Sequence, residues 1–291
     1  MPILDYASLP ACVVELERLR ESRVLVLGAS HLDLELLPCL YDRCRDIGRV
    51  PRLDVVLHGR GGVVNAARRI ALLLRQQAEH LAFIVPFHCE SSATLLTLCG
   101  DEILAGELAL FSPIDPQLSG VDGSTFSGLD VELFGQMAER WFGIDAASAR
   151  EQSLALLCNS VFPPSLTAFY RTTLELAQIG EELLAFQLPA AEPAFRQQLV
   201  QRLMSGYHSH NYALTRDEME RLGLRIRRNP AVEQLGWTIS KLLQASVGGG
   251  LRASAEETWI DALLATRDGV DLRRRQPGGL APIWTEAPVG S

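Results

Sequence analysis

Between residues 23 and 111, short apolar runs alternate with stretches of helical period, and this alternation restricts the fold more than any other feature of the sequence. Residues 23–28 (RVLVLG), 53–58 (LDVVLH) and 81–86 (LAFIVP) are apolar almost without a break, the mark of strands buried on both faces. Residues 34–47 and 63–77, between them, read as helices. In the second, Val64, Ala67, Ile70, Ala71 and Leu74 share one face while Arg68, Arg69 and Arg75 share the other. Strand, helix, strand, helix, strand in this order calls for a parallel sheet with right-handed crossovers, an α/β fold. An opening helix is expected at 12–20, an apolar helix at 92–99, and short strands at 102–104 and 108–111.

Beyond residue 128 the period becomes helical, with Gly, Pro or Ser breaks between segments. Thr215 with Glu218 reads as a capping box opening a short helix, and 230–244 is the last long helix. The organisation expected is therefore an α/β core at 20–120, a helical part at 121–272 with a segment at 205–227 returning to the core, and a disordered Pro- and Gly-rich tail at 273–291. Arg273, Arg274 and Arg275 are expected as a solvated part of that tail.

The chain has 291 residues, a formal charge of −8 and 47% hydrophobic positions. This acidic balance argues against nucleic-acid or anionic-membrane binding. No stretch approaches the ~18 apolar residues of a membrane span, and the N-terminus lacks a basic start followed by an apolar run. The six cysteines form no CxxC pair and show no metal-ligand spacing. The expectation is a cytoplasmic protein with reduced thiols, no stable membrane anchor, no metal and no cofactor. Among the 27 basic residues Lys241 is the single lysine, so chemistry that needs lysine has one candidate.

Two turns stand where an α/β sheet places its site, at the carboxyl ends of strands. The first is His58-Gly-Arg-Gly-Gly62, whose glycines permit positive φ and close backbone approach, so that amides can face a developing negative charge. It could also cradle a phosphate or be a simple turn; it has neither P-loop nor GxGxxG order. The second, Pro86-Phe-His-Cys-Glu-Ser-Ser-Ala-Thr94, sets Ser91 at a strand-to-helix junction among small residues, the layout of a nucleophile elbow and equally of a helix N-cap. Cys89 is a further nucleophile candidate, with a structural thiol as the alternative.

With both turns in order, the sequence resembles the serine dehydrogenase proteinase family of the Clp protease/crotonase fold, related to signal peptide peptidase. The resemblance runs through LDVVLHGRGGVVNAARRIALLLR, IVPFHCESSATLLTLCGDEILAG, LALFSPIDPQL and YHSHNYALTRDEMERLGLRI, and so covers roughly residues 20–227. It implies Ser91 as nucleophile, the backbone amides of Gly61, Gly62 and Ser92 as oxyanion hole, Asp115 from the Pro-x-Asp-Pro-Gln motif, and His210 from the C-terminal His-x-Tyr segment. The sequence departs from the family in having Arg60 before the Gly-Gly pair and Glu90 and Ser92 flanking the serine.

A serine hydroxyl needs a base. The stretch that carries a histidine in the Clp protease subunit has none here, Ser112 falling near that place. Candidates are His210 first, then His208, His88, His58 and Lys241. Asp115 would orient the histidine or simply serve the turn. The resemblance thus implies a serine peptidase acting on a peptide or protein and assembling as a homo-oligomer. The alternatives are a non-catalytic binding or assembly module of the same fold, and a crotonase-like enzyme of acyl-CoA thioesters.

Overall fold

The computed structural model describes residues 6–119, 125–249 and 253–287. Helix α1 (Ser8–Arg20) leads into strand β1 (Arg23–Ala29), and a single 3-10 turn precedes α2 (Leu37–Ile47). Strand β2 (Val50–Gly59), α3 (Val64–Gln77) and β3 (Ala78–Val85) follow, so the expected strand–helix alternation holds. Next come β4 (His88–Cys89), α4 (Ser92–Thr97), β5 (Glu102–Ala105) and β6 (Leu110–Phe111), then a small ribbon of β7 (Gln117–Ser119) and β8 (Thr125–Ser127). The second half is helical: α5 (Gly128–Phe142), α6 (Ala146–Ser160), α7 (Pro163–Gln187), α8 (Pro193–Ser205) and α9 (Arg216–Arg221), then β9 (Ile226–Arg227) and α10 (Pro230–Ser246). An antiparallel meander closes the chain: β10 (Trp259–Thr266), β11 (Gly269–Arg275) and β12 (Ile283–Glu286).

The central sheet runs β12-β11-β10-β1-β2-β3-β5-β9, with β4 between the ends of β2 and β6. The pairs β1–β2, β2–β3, β3–β5 and β5–β9 are parallel, as the uninterrupted apolar runs require. Alternate side chains of these strands feed two cores. On one face Leu25, Val55 and Phe83 pack with α2, α3, α4, α7 and α8; on the other Val24, Val56 and Ile84 pack with α1 and α10. Helix α3 buries Ala66, Ala67, Ile70, Ala71 and Leu74, its apolar stripe. Ile70 and Leu74 each contribute roughly 1.5–3 kcal/mol by leaving water. The capping box expected at Thr215 and Glu218 is present at the start of α9.

The C-terminal segment differs from the tail expected at 273–291. Residues 273–275 end β11, and 283–286 form β12; residues 288–291 lie outside the described residues, as does the expected boundary at 120/121. Arg273 is fully buried rather than solvated. Its charge is tolerated there because Asp261, on the neighbouring strand, and Asp33, far away in the chain, pair with it. The sheet is therefore built from both ends of the chain, with β10 lying antiparallel beside β1.

Candidate active site

Strand β3 ends at Val85, and the chain passes through β4 into a tight turn whose apex is Ser91, at φ 53° and ψ −123°. Among the described residues only Glu21 and Ser91 are non-glycine residues with positive φ. Such a conformation costs on the order of 1–3 kcal/mol and persists only where the surroundings impose it. Here they do. The Ser91 amide donates to Ser112 Oγ (2.7 Å), the Glu90 amide to the Gly59 carbonyl (2.9 Å), and the Ala93 amide to the Glu90 carbonyl (2.9 Å). Thr94 Oγ1 donates to the Cys89 carbonyl (2.6 Å) and accepts from the Ser112 amide (3.2 Å), stitching β4, α4 and the chain after β6 together. Ser91 is thus no ordinary N-cap: its side chain makes no capping bond to α4.

The Gly-Gly turn after β2 lies directly on this elbow. A Cβ on Gly61 (φ 100°) would come within 2.7 Å of Ser91 Cβ and 3.1 Å of its Oγ, so only glycine allows the approach. On Gly62 (φ 145°) a Cβ would collide with the backbone of Leu32. The Leu32 amide donates to the Gly61 carbonyl (2.8 Å) and its carbonyl accepts from the Val63 amide (2.8 Å). These two bonds bracket Gly62, so by strand geometry its own N–H faces away from Leu32. Ser92 opens α4, and its amide is a first-turn donor with no carbonyl one turn earlier in the helix to receive it. The structure therefore brings Gly61, Gly62, Ser91 and Ser92 together.

Asp115 and His210 form a second unit. The segment carrying His210 is pinned by α8 on one side and, on the other, by reciprocal backbone bonds between Phe111 and Leu214 (2.9 and 2.8 Å). His210 Nδ1 donates to Asp115 Oδ1 (2.7 Å). Asp115 is buried and also accepts from Ser127 Oγ (2.5 Å) and Gln117 Nε2 (2.6 Å). Burial opposes its charge, but the bonds from His210 and Ser127 outweigh that and hold its carboxyl below the ordinary range. An ionised carboxylate only accepts, so the proton in this bond sits on Nδ1, and in the neutral imidazole that tautomer leaves the lone pair on Nε2. Ser112 and Asp115, three residues apart, connect the elbow to this pair. Among the described residues neither Ser91 Oγ nor His210 Nε2 is engaged in a hydrogen bond.

The other candidates fare differently. His88 has both ring nitrogens occupied, Nδ1 on Glu90 Oε1 (2.6 Å) and Nε2 facing Arg60 Nη2 (3.4 Å), which also fixes the Glu90 carboxylate beside the elbow. His58 is buried, edge-on to His88 with ring centroids 5.4 Å apart, and His208 is exposed. Lys241 is exposed on α10, which packs on the opposite face of the sheet from α4. Burial and the neighbouring Glu90 charge push the Cys89 thiol well above its usual range, which leaves it unreactive. The sequence reading missed the roles of Gln117 and Ser127. Gln117 is visible as the last residue of the Pro-Ile-Asp-Pro-Gln run, and Ser127 as the cap of a Ser-x-x-Asp box that opens α5, a signal for a helix start rather than for a partner of Asp115.

A Gly-Gly turn packed on a serine elbow thus stands at the carboxyl ends of adjacent parallel strands, where open α/β sheets place their sites. Residues 44–128 match the family described as ClpP-like SDH-type serine proteinase, so the resemblance expected from the sequence is borne out there. The match takes in Gly61, Gly62, Ser91, Ser92 and Asp115 and stops short of His210. Two uncharacterized proteins of Methanocaldococcus jannaschii are similar, one 23% identical over 75% of this chain and 71% of its own length. The other is 27% identical over 67% of this chain, and the chain spans 59% of its length. Among solved structures, a mutant of the 1510-N membrane-bound stomatin-specific protease is similar at 15% identity and TM-score 0.39, covering 72% of this chain and 79% of that one. Another mutant of it, in complex with a substrate peptide, is similar at 14% identity and TM-score 0.41, covering 75% and 77%. No helix among the described residues is long and apolar enough to cross a membrane.

Proposed function

We propose that the protein is a serine peptidase in which Ser91 attacks a peptide carbonyl. His210 takes the Ser91 proton through Nε2 and returns it to the leaving amine, while Asp115 holds the imidazole tautomer and stabilises the imidazolium. The amides of Gly62 and Ser92, with Gly61 allowing the approach, receive the oxyanion of the tetrahedral intermediate. The observation that carries this reading is the strained Ser91 held against Gly61, since a serine with no chemical duty has no reason to bear that cost. This chemistry requires Ser91 Oγ and His210 Nε2 to meet within hydrogen-bond reach in the substrate complex. A fluorophosphonate probe tests the reading: phosphonylation of Ser91 with loss of fluoride, absent in Ser91→Ala, supports it.

The acting form is a homo-oligomer in the cytoplasm. Helix α5 buries none of its side chains, and Trp141 (79% exposed), Phe142, Phe162 and Tyr170 stand out on α5–α7. An apolar aromatic surface of this kind is the natural seat for a second copy. Six free thiols suit a reducing compartment. The same fold as a non-catalytic binding module is the second reading, favoured by the absence of a bond on Ser91 Oγ. It predicts no labelling.

A further inference from the structure

Arg273 has the largest fully buried side chain of the described residues, and it lies outside the catalytic set. Its Nε and Nη2 donate to Asp261 (2.9 and 2.8 Å), and its Nη1 and Nη2 to Asp33 (2.7 and 3.0 Å). Arg275 repeats the pattern, with Nε on Asp261 and Nη2 on Asp33, both 2.7 Å. Two arginines thus pair with two aspartates between the C-terminal meander and the chain leaving β1, with Glu35 also facing Arg275 (3.5 Å). Asp261 sits where β10 bulges, the register to β11 shifting between Ile260 and Ala262. A bulge re-aims a side chain, and here its carbonyl also accepts from the Ser30 amide (2.8 Å). The segment 30–33 is therefore gripped twice, by its backbone at Ser30 and by its side chain at Asp33. Between these two points lies Leu32, the residue that brackets Gly62.

We propose that the Asp33–Arg273–Asp261 clamp is a positioning device for the oxyanion turn, with Asp33 and Arg273 as positioning residues. Apolar residues of similar volume would hold the meander to β1 as well as these charges do, and at less desolvation cost. What apolar packing cannot supply is direction. A bidentate guanidinium fixes the orientation of the Asp33 carboxylate, hence the path of Leu32, hence the direction of the Gly62 N–H relative to Ser91. The effect on rate rests on Ser91 being the nucleophile; the mechanical part does not.

Amide hydrogen exchange followed by mass spectrometry, with fluorophosphonate kinetics on the same samples, tests this. In Asp33→Asn, exchange at residues 30–33 and 61–63 is expected to rise ~10-fold or more while peptides from β2 and β3 keep their wild-type protection. The maximal labelling rate at Ser91 falls by ~10–100-fold with the half-saturating probe concentration unchanged, because the pocket acts on the transition state. Arg273→Lys, although it keeps the charge, gives the same changes, since a point charge cannot span two carboxylates. Arg275→Gln, at a half-exposed position, gives the same local pattern at smaller size and serves if Asp33→Asn fails to fold. Unchanged exchange at 61–63, or a rise of equal size throughout the sheet, overturns the proposal. If the wild type is not labelled while exchange shifts as described, the peptidase reading fails and the clamp stands.

Discussion

At Ser91 the backbone bears a conformation that the proposed chemistry would explain. Its φ of 53° suits glycine, so Ser91→Gly is expected to raise stability by about 1 kcal/mol in urea titration while abolishing labelling. A variant no more stable than the wild type would mean the turn carries no strain. Asp115 supplies a second residue-level test. Folding lowers its pKa, so its bonds contribute fully above the unfolded value of about 3.9, and the contribution fades as pH falls through the lower folded value. The stability gap between wild type and Asp115→Asn should therefore be full at neutral pH and shrink below about pH 4; a gap independent of pH contradicts the assignment. The same variant should lower labelling at Ser91 by about 10²-fold or more, because amide in place of carboxylate upsets the His210 tautomer.

At the scale of elements, the Gly-Gly turn packs on the serine elbow, and the parts played by its two glycines are separable. Gly61→Ala sets a methyl 2.7 Å from Ser91 Cβ at a φ of 100°, and is expected to cost about 1 kcal/mol of stability while labelling drops about 10²-fold. Gly62→Ala meets the Leu32 backbone, which cannot step aside, and should cost about 2–3 kcal/mol of stability as well. Denaturant titration of both variants beside labelling checks this, and equal stabilities would contradict it. These turns were legible in the sequence because strand ends and glycines are local signals, and so were β1, β2, β3 and α3, whose side-chain periods match their burial. The meander was not. Arg273 reads as a solvated charge until Asp33, far away in the chain, is placed against it, and no local pattern encodes that pairing. The Asp115–His210 pair was expected from the family resemblance, since chain distance alone gives no reason to join them.

At the scale of the molecule, the sheet is completed by the last strands, which hold the segment that brackets Gly62, and α5–α7 leave Trp141, Phe142 and Phe162 exposed. Trp141→Asp combined with Phe162→Asp should convert an assembled wild type to monomer in sedimentation velocity with little change in melting temperature. A monomeric wild type, or an unchanged double variant, contradicts the assigned interface. The central claim is the chemistry of Ser91, and covalent labelling by a fluorophosphonate, with the modified residue located by mass spectrometry, tests it most directly. The account predicts a single adduct on Ser91, absent in Ser91→Ala and slowed at least about 10²-fold in His210→Ala. A folded wild type that takes no label, or a label that survives Ser91→Ala, would contradict it.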